Sequence, residues 1–189
     1  MKKYKILTIA MFIVLSIGQM IAQPVAAANN NEIKKLKIEE KSADRPALRK
    51  LEGTEVNQDS KTSFYMTIGN VPDISWTRGT YYDEATFNKD GVAMKAYFDI
   101  NGSLVGTTTI KKATDLNKSL EKSIKKQYGD YTIGQVTYFK DNEDNATDMM
   151  LYGLQFESKT HYFIELSKGD SKIVVMDDGT GDLSLFKQL

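Results

Sequence analysis

One histidine, no cysteine and 25 carboxylates set the limits on the chemistry open to this 189-residue chain. Without cysteine there is no disulfide, no thiolate metal site, no sulfur nucleophile and no lipidated N-terminal cysteine. A Ser–His–Asp arrangement has to use His161, and no Gly-x-Ser-x-Gly elbow accompanies it. An enzyme or ligand carrier built on this chain therefore rests on His161 and scattered carboxylates. The plainer expectation for His161 is an exposed histidine at the start of a strand. Calcium is the next possibility, because Asp141, Glu143, Asn145 and Asp148 crowd the loop DNEDNATD. An EF-hand loop needs Gly at its sixth position and Glu at its twelfth. Counted from Asp141, those positions hold Ala146 and Tyr152, so the pattern fails. Asp141, Glu143 and Asp148 are the metal candidates that remain, and an acidic hairpin loop is the ordinary reading. The same question attaches to DINGS (Asp99–Ser103), which carries too few carboxylates for a metal loop. No Gly-rich phosphate loop is present, and no cofactor is implied.

Aromatic side chains are the other concentration of function-bearing residues. Trp76, Tyr82, Tyr97 and Tyr138 fall on segments that alternate like strands. By alternation, Phe87, Met94 and Phe98 face a core, and Tyr82 and Tyr97 face outward. Tyrosines mixed with charge on an open sheet face suit recognition of a protein or peptide, since Tyr supplies contact area at little entropic cost.

The elements that position these residues follow from turn and periodicity signals. Strands are expected at Asp73–Arg78, Thr80–Phe87, Val92–Asp99, Ser103–Ile110, Tyr131–Lys140, Met149–Glu157, Tyr162–Ser167, Lys172–Met176 and Asp182–Phe186. Short connections such as NKDG make neighbouring strands antiparallel. Leu116, Leu120, Ile124 and Tyr128 recur every fourth residue and predict a helix over Thr114–Tyr128, with Thr114 as N-cap. Its lysine-rich back (Lys118, Lys122, Lys125, Lys126) reads as a solvated surface. A shorter helix is expected over Ser60–Ile68. YYDEATFNKDGVAMKAYFDINGSL and HYFIELSKGDSKIVVMDDGTGDL share an order of strand, Gly turn, strand, Asp-and-Gly turn, strand. Phe87 then corresponds to Leu166, Gly91 to Gly169, Phe98 to Met176, Gly102 to Gly181 and Leu104 to Leu183, with one interval longer by a residue. The fold expected is α+β: two helix-plus-antiparallel-strand repeats, about 60–110 and 113–189, with helices packed on one face of an antiparallel sheet.

The N-terminus is a location signal. MKKYK is basic, ILTIAMFIVLSIG is apolar but short of the ~20 residues a membrane span needs, and AQPVAAA supplies small residues. Residues 1–28 read as a secretory signal peptide cut after Ala22 or Ala28, and the exported chain is expected in the periplasm or outside the cell. Removing Lys2, Lys3 and Lys5 leaves 22 basic against 25 acidic residues, a net charge of −3. That balance has no clustered basic face for nucleic acid, and no second long apolar run retains the exported chain in a membrane. Residues 29–59 are polar and read as a linker or partly ordered arm, with a short helix near Pro46–Leu51.

The runs SFYMTIGNVPDISW, YYDEATFNKDGVAMKAYFDINGSLVGTTT, KKQYGDYTIGQVTYF, DNEDNATDMMLYGLQF and YFIEL together resemble the PepSY-like, beta-lactamase-inhibitor-protein-like (BLIP-like) group of small secreted proteins of Bacteroidetes-type bacteria. The resemblance covers about residues 60–189. It departs in the short first helix and in Asn117, where the group commonly has Pro. It implies a helix–sheet repeat whose open sheet face binds or inhibits another protein. It supplies no catalytic residues.

Overall fold

Asparagine starts both α-helices of the described residues. The structure, a computed structural model, describes residues 47–177 and 179–189. The expected signal peptide and the expected arm up to residue 46 lie outside the described residues. Helix α1 runs Gln58–Thr67 behind Asn57, whose side chain accepts from the Asp59 N–H. Helix α2 runs Lys118–Tyr128 behind Asn117, whose Oδ1 accepts from Leu120 N–H at 2.9 Å. Thr114 is therefore not the cap. Ala113–Asp115 form a separate 3-10 turn, tied by Asp115 Oδ2 accepting from Lys112 N–H at 3.1 Å. Leu116 then takes an extended conformation that interrupts the helix. An Asx side chain at the N-cap satisfies a first-turn N–H that otherwise has no partner.

The strands are β1 Ser75–Arg78, β2 Asp83–Lys89, β3 Val92–Phe98, β4 Leu104–Lys111, β5 Thr132–Asp141, β6 Met149–Leu151, β7 Leu154–Phe156, β8 His161–Lys168, β9 Ser171–Asp177 and β10 Leu183–Gln188. Eight of them form one antiparallel sheet in the order β1-β2-β3-β4-β5-β8-β9-β10. β6 and β7 pair only with each other. The single strand expected over Met149–Glu157 is thus a hairpin. Tyr152 and Gly153 both take positive φ, 52° and 75°, and turn the chain back on itself. The β2–β3 turn uses the same geometry at Asp90 and Gly91, residue types that favour it.

Three apolar clusters fill the fold. Phe64 of α1 packs among Ala85, Phe87, Ala96 and Phe98. Leu120, Ile124 and Tyr128 of α2 pack with Val136, Ile164, Leu166 and Val175. Three residues of the periodic stripe read in the sequence are the buried stripe of α2, and the fourth, Leu116, joins the same cluster from the extended segment before the helix. The third cluster joins Phe139, Phe163 and Phe186 of the sheet to Met149 and Phe156 of the β6–β7 hairpin. Phe156 meets Phe139, Phe163 and Phe186 edge-on, with centroids 5.4, 4.9 and 5.9 Å away, a geometry that adds to area burial.

The segment before α1 is tied to the sheet. Leu51 N–H donates to Thr80 O at 2.9 Å. Arg78 donates to the carbonyls of Glu52 and Glu55. Residues 47–51 form no helix. Asp83 is wholly buried and accepts from Asn57 N–H and Ser60 Oγ, both at 2.9 Å, and from Arg78 at 3.2 Å. A buried carboxylate is tolerable only when its lone pairs are met. Here one carboxylate joins the cap of α1, its first turn and the arm's anchor. Substitution Asp83→Ala strands the Arg78 guanidinium and two donors, and its expected cost is about 3–5 kcal/mol. A urea titration checks this, and a loss under about 1 kcal/mol removes the clamp from the account.

Candidate functional site

Strand alternation gives the sheet two faces, and the four aromatic candidates divide between them. Tyr82 and Tyr97 lie opposite Phe87 and Phe98, as the alternation requires. They do not face outward: both are buried in the cluster closed by the β6–β7 hairpin. Alternation sets the side correctly, but Met149–Glu157 is a covering hairpin and not one more strand of the sheet. Tyr82 donates its hydroxyl to Asp148 O at 2.8 Å. Tyr97 shares a hydrogen bond with Thr108 Oγ1 at 3.1 Å. Trp76 is half-buried on edge strand β1, packed on Phe64 and Phe98 at 5.6 and 5.7 Å. Tyr138 is half-buried, its ring 4.8 Å from Tyr162 and 5.9 Å from Lys111 Nζ. The four do not form one surface.

His161 is likewise buried rather than exposed, because β8 is an interior strand. Its Nδ1 lies 3.7 Å from Asp177 Oδ1 and has no hydrogen-bond partner. Asp177 Oδ1 instead accepts from Tyr162 N–H. The loop carboxylates go separate ways. Asp141 accepts from Ser158 Oγ, Asp148 Oδ2 from Gln155 Nε2 at 2.9 Å, and Glu143 is exposed. Among the described residues no three metal-ligating side chains converge.

Asp99 answers the question posed by DINGS. Its Oδ1 accepts from Asn101 and Ser103 N–H at 2.9 and 3.0 Å, closing the turn. Its Oδ2 accepts from Asn145 Nδ2 and Thr147 Oγ1 at 3.1 and 3.2 Å, pinning the 142–148 loop. The carboxylate is spent on backbone and loop rather than on a metal. This turn borders a cavity of about 460 Å3, whose wall includes Leu48, Tyr81, Asn101, Thr147 and Asp148.

A second opening lies where the hairpin stops short. Lys95, Ile110, Gln135, Thr137 and Tyr152 line a cleft of about 250 Å3 on the hairpin side of the sheet, with Tyr97 and Thr108 in its wall. Ile110 is 54% exposed. Lys95 pairs with Glu84 at 3.3 Å, and Tyr152 donates to Glu165 Oε1 at 3.1 Å. Tyr152 holds left-handed backbone, φ 52°, which costs a side-chain-bearing residue about 1–2 kcal/mol. The strand expected over Met149–Glu157 puts Tyr152 mid-strand, although the Tyr-Gly pair followed by Leu154 carries a turn signal.

The described residues form an α+β fold with one large antiparallel sheet, a two-stranded hairpin and two α-helices. The chain's fold is that of BLIP-like and related Bacteroides proteins. No family model and no curated protein matches it. Among solved structures it is similar to a BLIP-like protein from Bacteroides fragilis, at 16% identity over 72% of this chain and 87% of that one, TM-score 0.55. A DUF2874 family protein from Bacteroides ovatus gives 15% identity over 72% and 89%, TM-score 0.58. A protein from Bacteroides eggerthii, described as a periplasmic candidate, gives 13% identity over 71% and 88%, TM-score 0.56. These carry the BLIP-like part of the sequence resemblance at the level of fold, and none is described as PepSY.

Burial acts on both hidden tyrosines. Desolvation pushes the Tyr97 hydroxyl up to about 12, against the opposing bond from Thr108, and pushes Tyr82 up as well. An unfolded tyrosine ionises near pH 10. Between about pH 10 and 12 the unfolded chain loses a proton that folded Tyr97 keeps, so stability falls as pH rises. Tyr97→Phe keeps the ring and removes that proton. Urea midpoints at about pH 8 and 11 are expected to differ less in Tyr97→Phe than in the native chain, and equal differences contradict the assignment.

Proposed function

We propose that this chain is a non-enzymatic binding module of the periplasm or the cell exterior, acting on an envelope protein or peptide through the sheet face beside the β6–β7 hairpin. The observation that carries this reading is Tyr152. An aromatic ring is kept in costly left-handed backbone at a hairpin tip, over a cleft rimmed by exposed Ile110. Strain of this kind collects at functional positions. The location is supported by the export-type N-terminus and by the periplasmic description of a structural neighbour. Among the described residues no helix is long and apolar enough to cross a membrane. Binding rather than catalysis is supported by the use of Asp83, Asp99 and Asp177 as acceptors for backbone and side-chain donors. His161 lies in the wall of neither opening. Inhibition of the partner is the form of binding that the BLIP-like resemblance suggests.

The scaffold behind this surface is two repeats with both helices on one sheet face. Strand pairing carries Met94, beside α1, through Thr109 to Tyr138, two residues from Val136 beneath α2. Gly102 and Gly181 occupy equivalent turns, each with positive φ. A Cβ on Gly102 meets Asp59, two residues after the Asn57 cap, at 2.6 Å. A Cβ on Gly181 meets Ser119, two residues after the Asn117 cap, at 2.4 Å. Each half therefore seats its helix start on a glycine turn. The extra residue in the first half shifts the pairing of Phe98 from Met176 to Val175, which lies in the α2 cluster.

Two substitutions test the surface. Ile110→Lys changes an exposed side chain and leaves the clusters intact. Tyr152→Asn removes the ring but suits the left-handed turn. Both are expected to keep the native melting temperature within a few degrees and to weaken capture of partners from periplasmic extract by about tenfold or more. Equal recovery of every partner by native and variant chains contradicts this surface.

A further inference from the structure

A cavity of about 460 Å3 lies beside the Asp99 turn and shares no lining residue with the Tyr152 cleft. We propose that it is a saccharide site, taking a neutral sugar unit of an envelope glycan. A sugar ring presents an apolar C–H face and a rim of hydroxyls that both donate and accept. The cavity wall offers a counterpart to each part. Tyr81, Leu48 and Ile100 supply aromatic and aliphatic surface. Asn101, Asp148 and Glu157 supply planar amide and carboxylate groups, which can meet neighbouring hydroxyls in pairs. The volume falls within the range usual for small-ligand pockets.

The wall is fixed before any ligand arrives, which lowers the ordering cost of binding. Asp99 is 6% exposed and accepts four hydrogen bonds, two closing its own turn and two holding Asn145 and Thr147. Asn145 also donates to Leu104 O at 3.1 Å. Tyr82 holds Asp148 through its carbonyl at 2.8 Å. Leu51 N–H, bonded to Thr80 O, holds the segment that brings Leu48 and Arg49 to the rim. Five separated stretches of chain thus meet around one space, and the bonds above hold three of them in place.

The charges argue for a neutral ligand. Glu157 pairs with Lys159 at 2.7 Å, Asp99 is met by four donors, and Arg49 stands in the same wall. The carboxylates therefore offer acceptor geometry more than an unanswered charge. A hydroxyl donor uses that geometry without the desolvation cost an organic cation carries.

The test is an NMR titration of the exported chain with glucose, N-acetylglucosamine and cellobiose, with benzylamine and benzoate as charged controls. At least one sugar is expected to shift the amides of Tyr81, Asn101 and Thr147 saturably at millimolar concentration. Tyr81→Ala and Asn101→Ala are expected to weaken that binding by about tenfold, corresponding to about 1.4 kcal/mol. Asn101 is exposed, so its variant keeps the test open where Tyr81→Ala fails to fold. Ile110→Lys is expected to leave the sugar response unchanged, which separates this site from the protein-binding cleft. No saturable shift with any of the three sugars up to about 100 mM overturns the proposal. So does benzylamine binding more tightly than every sugar, or sugar shifts confined to the Tyr152 cleft.

Discussion

Phe139, Phe163 and Phe186 meet the β6–β7 hairpin through Phe156 and Met149, and this contact decides which parts of the sheet are left to water. An eight-stranded antiparallel meander has two faces to cover. On the two-repeat reading, the helices cover one side. The other carries large aromatic side chains, each contributing about 1.5–3 kcal/mol when taken out of water. A hairpin of two three-residue strands, which is marginal alone, becomes stable because it rests on those rings. Its short reach leaves Lys95, Ile110 and Gln135 uncovered. The cleft at Tyr152 is the boundary between the closed and open parts of that face.

Acidic residues do a second job in this chain. Asp83, Asp99 and Asp177 are buried; Asp83 and Asp99 accept from donors that a helix start or a turn leaves unsatisfied, and Asp177 accepts from Tyr162 N–H near the start of β8. Asp83 gathers the arm and the first turn of α1. Asp99 gathers a hairpin turn and the loop across from it. A side chain acting in this way is worth more than its surface charge suggests, because removing it strands several buried donors at once. The chain has 25 acidic residues without a metal loop in its sequence pattern, and part of that content is explained by such joints.

Local signals in the sequence carried the strands and helices well. Leu120, Ile124 and Tyr128 are the buried stripe of α2, and Phe87 and Phe98 are buried where alternation put them. What alternation left undetermined is what lies above a face. Tyr82 and Tyr97 were assigned to the correct side, yet are buried, because covering depends on a contact between β6–β7 and strands up to 66 residues away, as in the bond from Tyr82 to Asp148. Thr114 lost the capping role to Asn117 for a nearer reason: a 3-10 turn competes for Asp115 and ends in an extended Leu116. His161 looked like a strand-end residue and is one, but its strand is interior. Tyr152 was legible as a turn, though not as a strained one, since φ appears only in the structure.

The hairpin also bears on how two similar halves can come to differ in function. On the two-repeat reading, each half supplies a helix start seated on a glycine turn and four strands of the sheet. Only the second half interrupts its strands with β6–β7, inserted between β5 and β8, which remain paired. An insertion at that place costs the sheet no hydrogen bonds, because its own strands pair with each other. It changes the surface all the same: it closes the aromatic part of one face, builds the wall at Asp148 and Glu157, and sets Tyr152 over what stays open. The cavity at Asp148 and the cleft at Tyr152 are therefore both edges of a single added element. On that reading, a repeat that is nearly symmetric in its core becomes asymmetric on the surface proposed for binding.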